Sequence, residues 1–480
     1  MSKTVILKIN DSHTIEINTE TLQKDENLLK LMIKHGITGD FCGGNGMCAR
    51  CKVKFLTTAP LPTAVERRLL TAEELREGYR LSCCVTITPV LGEKIEIKTA
   101  FTRPDIQILD DYALLLTINE KKRNKAEADY IIADIGTTTI VMQLISAKDM
   151  TVKKTYRALN PERTFGMDVI ARIQASVQGF REEIKNIIRE EIKKGVRYLL
   201  DGHEVVKDIY VSANATMKQL FMGNDVSAMG TYPFIIEQTV PDVIDFNRYR
   251  LHFVPDAGTF VGGDIVSGVY ALGMHVTNEV NLLVDLGTNG ELVIGNAQKL
   301  MGTATAAGPA FENAKTFYVP GSDIIRIVSD MLNEHIIDSE GLLIEKYFEM
   351  GYPVDKITVT QEDIRNLQKA KAAVRCGIEA LIKAYGVTAV DIAHVYLAGG
   401  FGHGLSAKSA VRIGLIPTEL EDKIVSVSNT ALGGAYMLGL NMQEGAWQEV
   451  CDIAERIQVI NLAEDTMFNE SYMNALNFPQ

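Results

Sequence analysis

Tyr130-Ile131-Ile132-Ala133-Asp134 is an apolar run that ends on a carboxylate and turns through Ile135-Gly136-Thr137-Thr138-Thr139 into a second apolar run reaching Ile145. The design returns about 150 residues later as Asn281-Leu282-Leu283-Val284-Asp285-Leu286-Gly287-Thr288-Asn289-Gly290-Glu291-Leu292. Two strand–Asp–Gly–Thr hairpins at that separation argue for internal duplication and an α/β fold. The chemistry follows from the turn. Gly136, Thr137, Thr138 and, in the second copy, Gly287, Thr288 and Asn289 aim backbone N–H and side-chain donors at phosphate oxygens. Asp134 and Asp285, at the strand ends, are placed to hold Mg2+ directly or through water. One such turn is weak evidence, since Asp-Gly turns join strands everywhere. A third element strengthens it: the strand Ala393–Leu397 runs into Ala398-Gly399-Gly400-Phe401-Gly402-His403-Gly404, where Gly399, Gly400 and Gly402 let bare backbone approach a nucleotide. Asp264, after Gly262-Gly263, either positions water or magnesium or caps a helix.

Toward the N-terminus the composition changes. Phe41-Cys42-Gly43-Gly44-Asn45-Gly46-Met47-Cys48-Ala49-Arg50-Cys51 carries three thiols, and Arg80-Leu81-Ser82-Cys83-Cys84 supplies another pair. Cys-x5-Cys-x2-Cys with one distant Cys is the spacing of a loop wrapped around a [2Fe–2S] cluster, whose two irons take four thiolates. Zinc sites more often present two closely spaced pairs. Cys42, Cys48 and Cys51 are the first three expected ligands, and the fourth is Cys83 or Cys84. Cys376 and Cys451 read as core thiols. Around the loop, residues 4–10 and 14–19 form a hairpin pattern, 26–37 a short helix, and 51–55 and 93–97 two further strands.

The chain of 480 residues, 46% hydrophobic and 23% charged, is long enough for about three cores. A net charge of -12 with no basic stretch argues against nucleic acid as a partner. No apolar window of membrane-spanning length and no leader-like segment stand out, so a cytoplasmic protein is expected. Seven cysteines clustered unevenly read as metal ligands rather than disulfides. The expected domains are 1–100 around the thiols, a linker at 101–128 whose run Asn119–Lys125 is a solvated surface, and 129–480 as the duplicated fold, divided at about 279/280. Phe180–Leu200 and Ile364–Ala384 read as long helices. Asp168 and Arg172 fall four apart on a helix, as a surface pair or facing a cleft. Lys371 reads as a helix-surface or interface lysine.

The order of the three glycine turns resembles the acetate kinase, sugar kinase, Hsp70 and actin superfamily, with two phosphate hairpins and an adenosine turn. Asn160-Pro161-Glu162-Arg163-Thr164-Phe165-Gly166-Met167-Asp168, Phe260-Val261-Gly262-Gly263-Asp264, Ala307-Gly308-Pro309-Ala310-Phe311-Glu312 and Asp363-Ile364-Arg365 resemble more narrowly the ATP-dependent reductive activators of corrinoid proteins. In that family a [2Fe–2S] ferredoxin-like domain precedes the nucleotide fold. The resemblance implies a β-grasp-type ferredoxin domain followed by an actin/Hsp70-like ATPase. It implies Cys83 as fourth ligand, since similar ferredoxins place theirs after Arg-Leu-Ser, and Asp134, Asp285 and Asp264 as the catalytic carboxylates. It also implies ATP and Mg2+, a corrinoid protein returned from Co(II) to Co(I), a low-potential electron donor and a homodimer. Two departures are expected: about 30 residues leave no room for the family's middle domain, and Asp323 stands where its pattern has glycine. The rival readings are a small-molecule kinase with a fused ferredoxin and a nucleotide-switched redox sensor.

Overall fold

Alternation builds the N-terminal sheet. In β1 (Thr4–Ile9) Val5, Leu7 and Ile9 point inward, and in β2 (His13–Asn18) Ile15 and Ile17 do. They pack with Leu28 and Met32 of the helix Leu28–Lys34, which Asn27 caps by accepting from Lys30 N–H at 2.9 Å. With β3 (Lys52–Phe55), β4 (Tyr79–Leu81) and β5 (Lys94–Thr99) the order is β2-β1-β5-β3-β4, with β1 and β5 parallel and the other pairings antiparallel. The helix lies between the hairpin and β3, which is the β-grasp arrangement.

The computed structural model describes residues 4–10, 13–18, 27–44, 46, 48–88, 93–101, 108–118, 126–202, 206–237, 241–287, 289–305, 321–354, 357–399, 405–464 and 468–479, the side chains at 321, 322 and 469 excepted. By packing the chain divides into two units, one of residues 1–105 with 161–188 and one of residues 106–160 with 189–480.

Within the first unit, the segment after Asn160 packs against the thiol loop. Phe41 N–H donates to Arg163 O at 3.2 Å, Gly39 N–H to Thr164 Oγ1 at 3.3 Å, and Arg163 Nε to Asp40 Oδ1 at 2.8 Å. Asp168 and Arg172 do not pair, contrary to their spacing. Asp168 caps the helix Val169–Ala175 by accepting from Ala171 N–H. Arg172 is wholly buried and pairs with Glu162 at 3.1 Å, because a guanidinium inside needs a carboxylate that is also inside.

The second unit repeats one sheet twice. β6 (Tyr130–Ile135), β7 (Thr139–Ile145) and β8 (Val152–Leu159) form an antiparallel meander. β9 (Asp208–Ala213), β10 (Val243–Phe246) and β11 (Tyr249–Phe253) complete the order β10-β11-β9-β6-β7-β8. The second copy has β12 (Val280–Leu286), β13 (Gly290–Gly295) and β14 (Leu300–Thr305) as its meander. A separate hairpin, β15 (Tyr352–Val354) with β16 (Ile357–Val359), precedes β17 (Ile392–Ala398), β18 (Ile424–Ser426) and β19 (Ile457–Val459). The order is β18-β17-β12-β13-β14-β19, with β12 parallel to β17 as β6 is to β9. The central strands β6 and β13 are buried on both faces and largely apolar, Asp134 and Glu291 being the charged exceptions.

Two helices, Gly263–Leu272 and Thr430–Asn441, cross between the halves of this unit. A Cβ at Gly434 would stand 2.3 Å from Ser267 O, so only glycine allows the crossing. The helices Arg181–Leu200 and Gln361–Tyr385 form where periodicity places them. Residues 108–118 of the stretch read as linker are built into the second unit. Tyr112 and Leu115 are buried, and the Tyr112 hydroxyl donates to Gln143 Oε1 at 3.0 Å. Lys371 is buried too, with its ammonium on Asn477 O and burial pushing it down to about 8.

Candidate functional sites: a paired-thiol loop and a carboxylate cluster

The thiol loop closes because glycine permits it. Gly43, Gly44 and Gly46 all have φ between 66° and 82°, the left-handed region that side chains resist. Ser82 N–H donates to Cys51 O at 2.9 Å, which brings the second cysteine segment against the first. The thiols then fall into two pairs. Cys51 Sγ lies 3.4 Å from Cys83 Sγ, and the Cys48 thiol hydrogen-bonds with that of Cys42. That contact first, and burial second, push the Cys48 thiol well up. Cys84 Sγ lies 3.8 Å from Cys83 Sγ. Among the described residues no three of His, Cys, Asp or Glu converge as ligands of a single metal ion. Two pairs suit two bridged irons better than one tetrahedral zinc. Crowded thiols are the arrangement that a cationic centre relieves.

The second site lies wholly within the second unit. Gly136 N–H donates to Thr139 O at 3.0 Å and Gly287 N–H to Asn289 O at 2.9 Å, so both hairpins close as tight turns. The first is braced twice: Asn160 Nδ2 donates to Gly136 O at 2.8 Å and Asn214 Nδ2 to Thr137 Oγ1 at 2.9 Å. At the end of β17, Gly399 has φ of 81°, and a Cβ there would stand 2.4 Å from Asp285 Oδ1. Its small size is set by the carboxylate. Asn429, which caps the helix Thr430–Asn441, donates to Asp134 Oδ2 at 2.7 Å, and Thr430 Oγ1 lies 3.5 Å from Asp285 Oδ2. Two successive residues thus hold both strand-end carboxylates.

These carboxyls share one electrostatic neighbourhood. Burial raises Asp134 to about 6, against the pull of the Asn429 amide. Burial and the Asp134 charge raise Asp285 to about 7. Asp264 is pushed well up by burial and then by Asp285, and Glu291 by burial and then by Asp264 and Asp285. Asp264 is not the helix cap, since Gly262 holds that position. Lys218, nearly buried, is engaged by Asp242 and, at 3.3 Å, by Asp256. Negative charge collected this way is relieved by a bound cation with its phosphates.

Of the expected site residues, Asp134, Gly136, Thr137, Thr138, Asp264, Asp285, Gly287, Asn289 and Gly399 belong to this unit. Thr288, Gly400 and Gly402, with His403, Gly308, Pro309 and Glu312, lie outside the described residues. Asp323 sits in the first turn of the helix Gly321–Asn333. Sequence reading missed Glu291, Asn214 and Asn429 as site residues. Glu291 had a signal, since it pairs directly with Asp285 across the hairpin. Asn429 had none.

A paired-thiol β-grasp domain joined to a duplicated phosphate-hairpin fold defines a class: iron–sulfur proteins with an actin/Hsp70-like ATPase. Residues 13–88 match the 2Fe-2S iron-sulfur cluster binding domain, 130–277 the RACo middle region, and 279–318 and 314–480 the C-terminal domain of RACo, the ASKHA domain. The chain belongs to the ATP-dependent reductive activators of corrinoid proteins. It is 28% identical to the corrinoid activation enzyme RamQ of Eubacterium limosum, over 72% of this chain and 69% of that one. It is 25% identical to the [Co(II) methylated amine-specific corrinoid protein] reductase of Methanosarcina barkeri, over 45% of this chain and 49% of that one. A solved structure described as a reductive activator for corrinoid,iron-sulfur protein shares the fold, with a TM-score of 0.66 at 21% identity over 99% of this chain and 98% of that one. The middle region expected to be missing is therefore present. It is the first half of the duplicated fold, not an insertion before it.

Proposed function

We propose that this protein performs ATP-dependent one-electron activation of a corrinoid protein, returning inactive Co(II) to Co(I) for methyl transfer. The observation that carries the reading is the presence, in one chain, of two thiol pairs and a carboxylate-flanked pair of phosphate hairpins. An electron carrier alone has no use for a nucleotide. A transfer uphill in potential does, at about 2.3 kcal/mol per 100 mV for one electron.

The residues proposed to hold the [2Fe–2S] cluster are Cys42, Cys48, Cys51 and Cys83; bound there, it supplies one-electron chemistry. ATP is assigned to Gly136–Thr138, Gly287–Asn289 and the Gly399–Gly402 turn. Asp134, Asp264 and Asp285 are the catalytic carboxylates. These carboxylates would hold Mg2+, directly or through water, and the ion would supply charge neutralisation at the phosphates. Asn429 and Thr430 touch Asp134 and Asp285 respectively, so a nucleotide entering between the hairpins changes what the helix Thr430–Asn441 is anchored to. Differential binding of that kind is how a nucleotide shifts a conformational equilibrium.

The finer parts of the proposal are a low-potential donor, a homodimer and a cytoplasmic setting. Among the described residues no helix is long and apolar enough to cross a membrane. The test is anaerobic spectroscopy of a Co(II) corrinoid protein with reductant and this chain. Co(I) is expected only with ATP and magnesium; equal formation without ATP refutes the coupling.

A further inference from the structure

Two copies of one local motif lie beside the thiols, and they are used differently. Thr63-Ala64-Val65-Glu66 and Thr71-Ala72-Glu73-Glu74 each form a capping box, in which threonine and glutamate satisfy one another's backbone N–H. In the second box Glu74 is partly exposed and its other oxygen meets Lys52 at 2.6 Å, an ordinary surface ion pair. In the first, Glu66 is 1% exposed. Its Oε2 accepts from Thr63 N–H at 2.7 Å and Oγ1 at 2.9 Å. Its Oε1 reaches across 15 residues to accept from Leu81 N–H at 2.8 Å.

A helix cap needs only one of those oxygens. The other lands two residues before Cys83, on the segment whose next N–H, that of Ser82, is tied to Cys51 O. Both oxygens act as acceptors, the pattern of a carboxylate. No cation among the described residues pairs with it. Arg80 feels the charge of Glu66 but does not pair with it: its hydrogen bonds go to carbonyls, Pro60 O at 2.7 Å, Leu75 O at 3.1 Å and Tyr79 O at 2.6 Å, so it offsets that charge only in part. Thr63, the other half of the box, also lies beside the Cys84 thiol. The same pair of residues therefore holds the backbone leading to Cys83 and flanks the side chain of Cys84.

We propose that Glu66 is a positioning residue of the redox centre: it fixes the Leu81–Cys83 segment so that Cys83, rather than Cys84, meets Cys51, and its buried negative charge holds the centre's reduction potential low. The inference rests on the cluster reading above. A fixed negative charge in a poorly solvated place disfavours an added electron, and net charge and hydrogen bonding are what tune such centres. For a donor that must reduce a corrinoid, a lower potential is the useful direction.

The test uses the full chain, reconstituted and kept anaerobic, with midpoint potential and electron paramagnetic resonance as readouts. Glu66→Gln keeps an acceptor for Leu81 N–H and loses the charge. It is expected to retain the wild-type resonance and to become easier to reduce by about tenfold in the equilibrium, about 59 mV for one electron. Glu66→Ala is expected to give a shorter-lived centre with mixed ligation, returned to a single species by adding Cys84→Ser. Glu74→Gln, the control in the second box, is expected to leave the midpoint in place. A Glu66→Gln midpoint equal to wild type overturns the role of the charge. A Glu66→Ala chain with wild-type resonance and lifetime overturns the positioning. If wild type itself takes up no [2Fe–2S] centre, the cluster reading falls and this inference with it.

Discussion

Replacing Arg163 by Met tests the packing next to Cys42. Arg163 and Asp40 have side chains 1% and 8% exposed and share one bond, Nε to Oδ1 at 2.8 Å. Asp40 Oδ2 and Arg163 Nη1 have no partner among the described residues. Removing one member of a buried pair costs about 3–5 kcal/mol, because the other charge stays buried and unpaired. The small exposure of Asp40 allows some relief by water, which puts the expectation at the lower end of that range. Replacing both by Leu and Met removes two charges and two unsatisfied atoms together, and should be neutral or stabilising. Whole-chain melting is a poor assay, since a protein of two units does not unfold in one step. The better one is loss of the visible cluster absorbance in urea, since Asp40 lies two residues from Cys42. Arg163→Met should lose absorbance at clearly lower urea than wild type, and the double variant should recover it. A single variant matching wild type, or a double variant weaker than either single, refutes the reasoning.

Other expectations follow from the same geometry. Cys48→Ser should abolish the cluster absorbance and corrinoid activation while leaving ATP binding in calorimetry unchanged. Asn429→Ala removes a hydrogen bond to a charged carboxylate, worth about 1.5–3 kcal/mol. MgATP affinity should fall about ten- to hundredfold by calorimetry, with the cluster spectrum intact. Asp134 and Asp285, raised to about 6 and about 7, bind protons in the folded state at pH values where the unfolded chain has lost them. The nucleotide-free protein should therefore lose stability as pH rises from about 4 through 7. Magnesium-nucleotide affinity should move oppositely, strengthening as pH rises through 6 to 7, and a flat profile counts against these two carboxyls.

Much of this architecture is written in short stretches. Strand–Asp–Gly–Thr followed by a second strand needs only its own residues to become a hairpin, so Asp134–Thr139 and Asp285–Gly290 were legible as turns before any fold was known. Val5, Leu7 and Ile9 alternate, and alternation is a local statement about a sheet with one covered face. Cys42, Cys48 and Cys51 were legible as candidate ligands because their spacing is local. Asp168 and Arg172 show where such reading fails. Their spacing is right for a helix pair, but a buried guanidinium pairs with whichever carboxylate is buried beside it, and that is Glu162.

By itself the sequence determined the two repeats, the thiol loop and the residue types able to meet phosphate and iron, because each depends on neighbours within about a dozen positions. Only the tertiary structure decided which thiols pair, and that Cys83 lies against Cys51. It alone brought Asn429 to Asp134 across 295 positions and Arg163 to Asp40 across 123. It also turned one of two capping boxes into a tether for the cysteine segment. No local pattern carries such contacts, because their partners are chosen by how apolar surfaces bury one another. The polar groups then pair with whatever that burial has brought within reach.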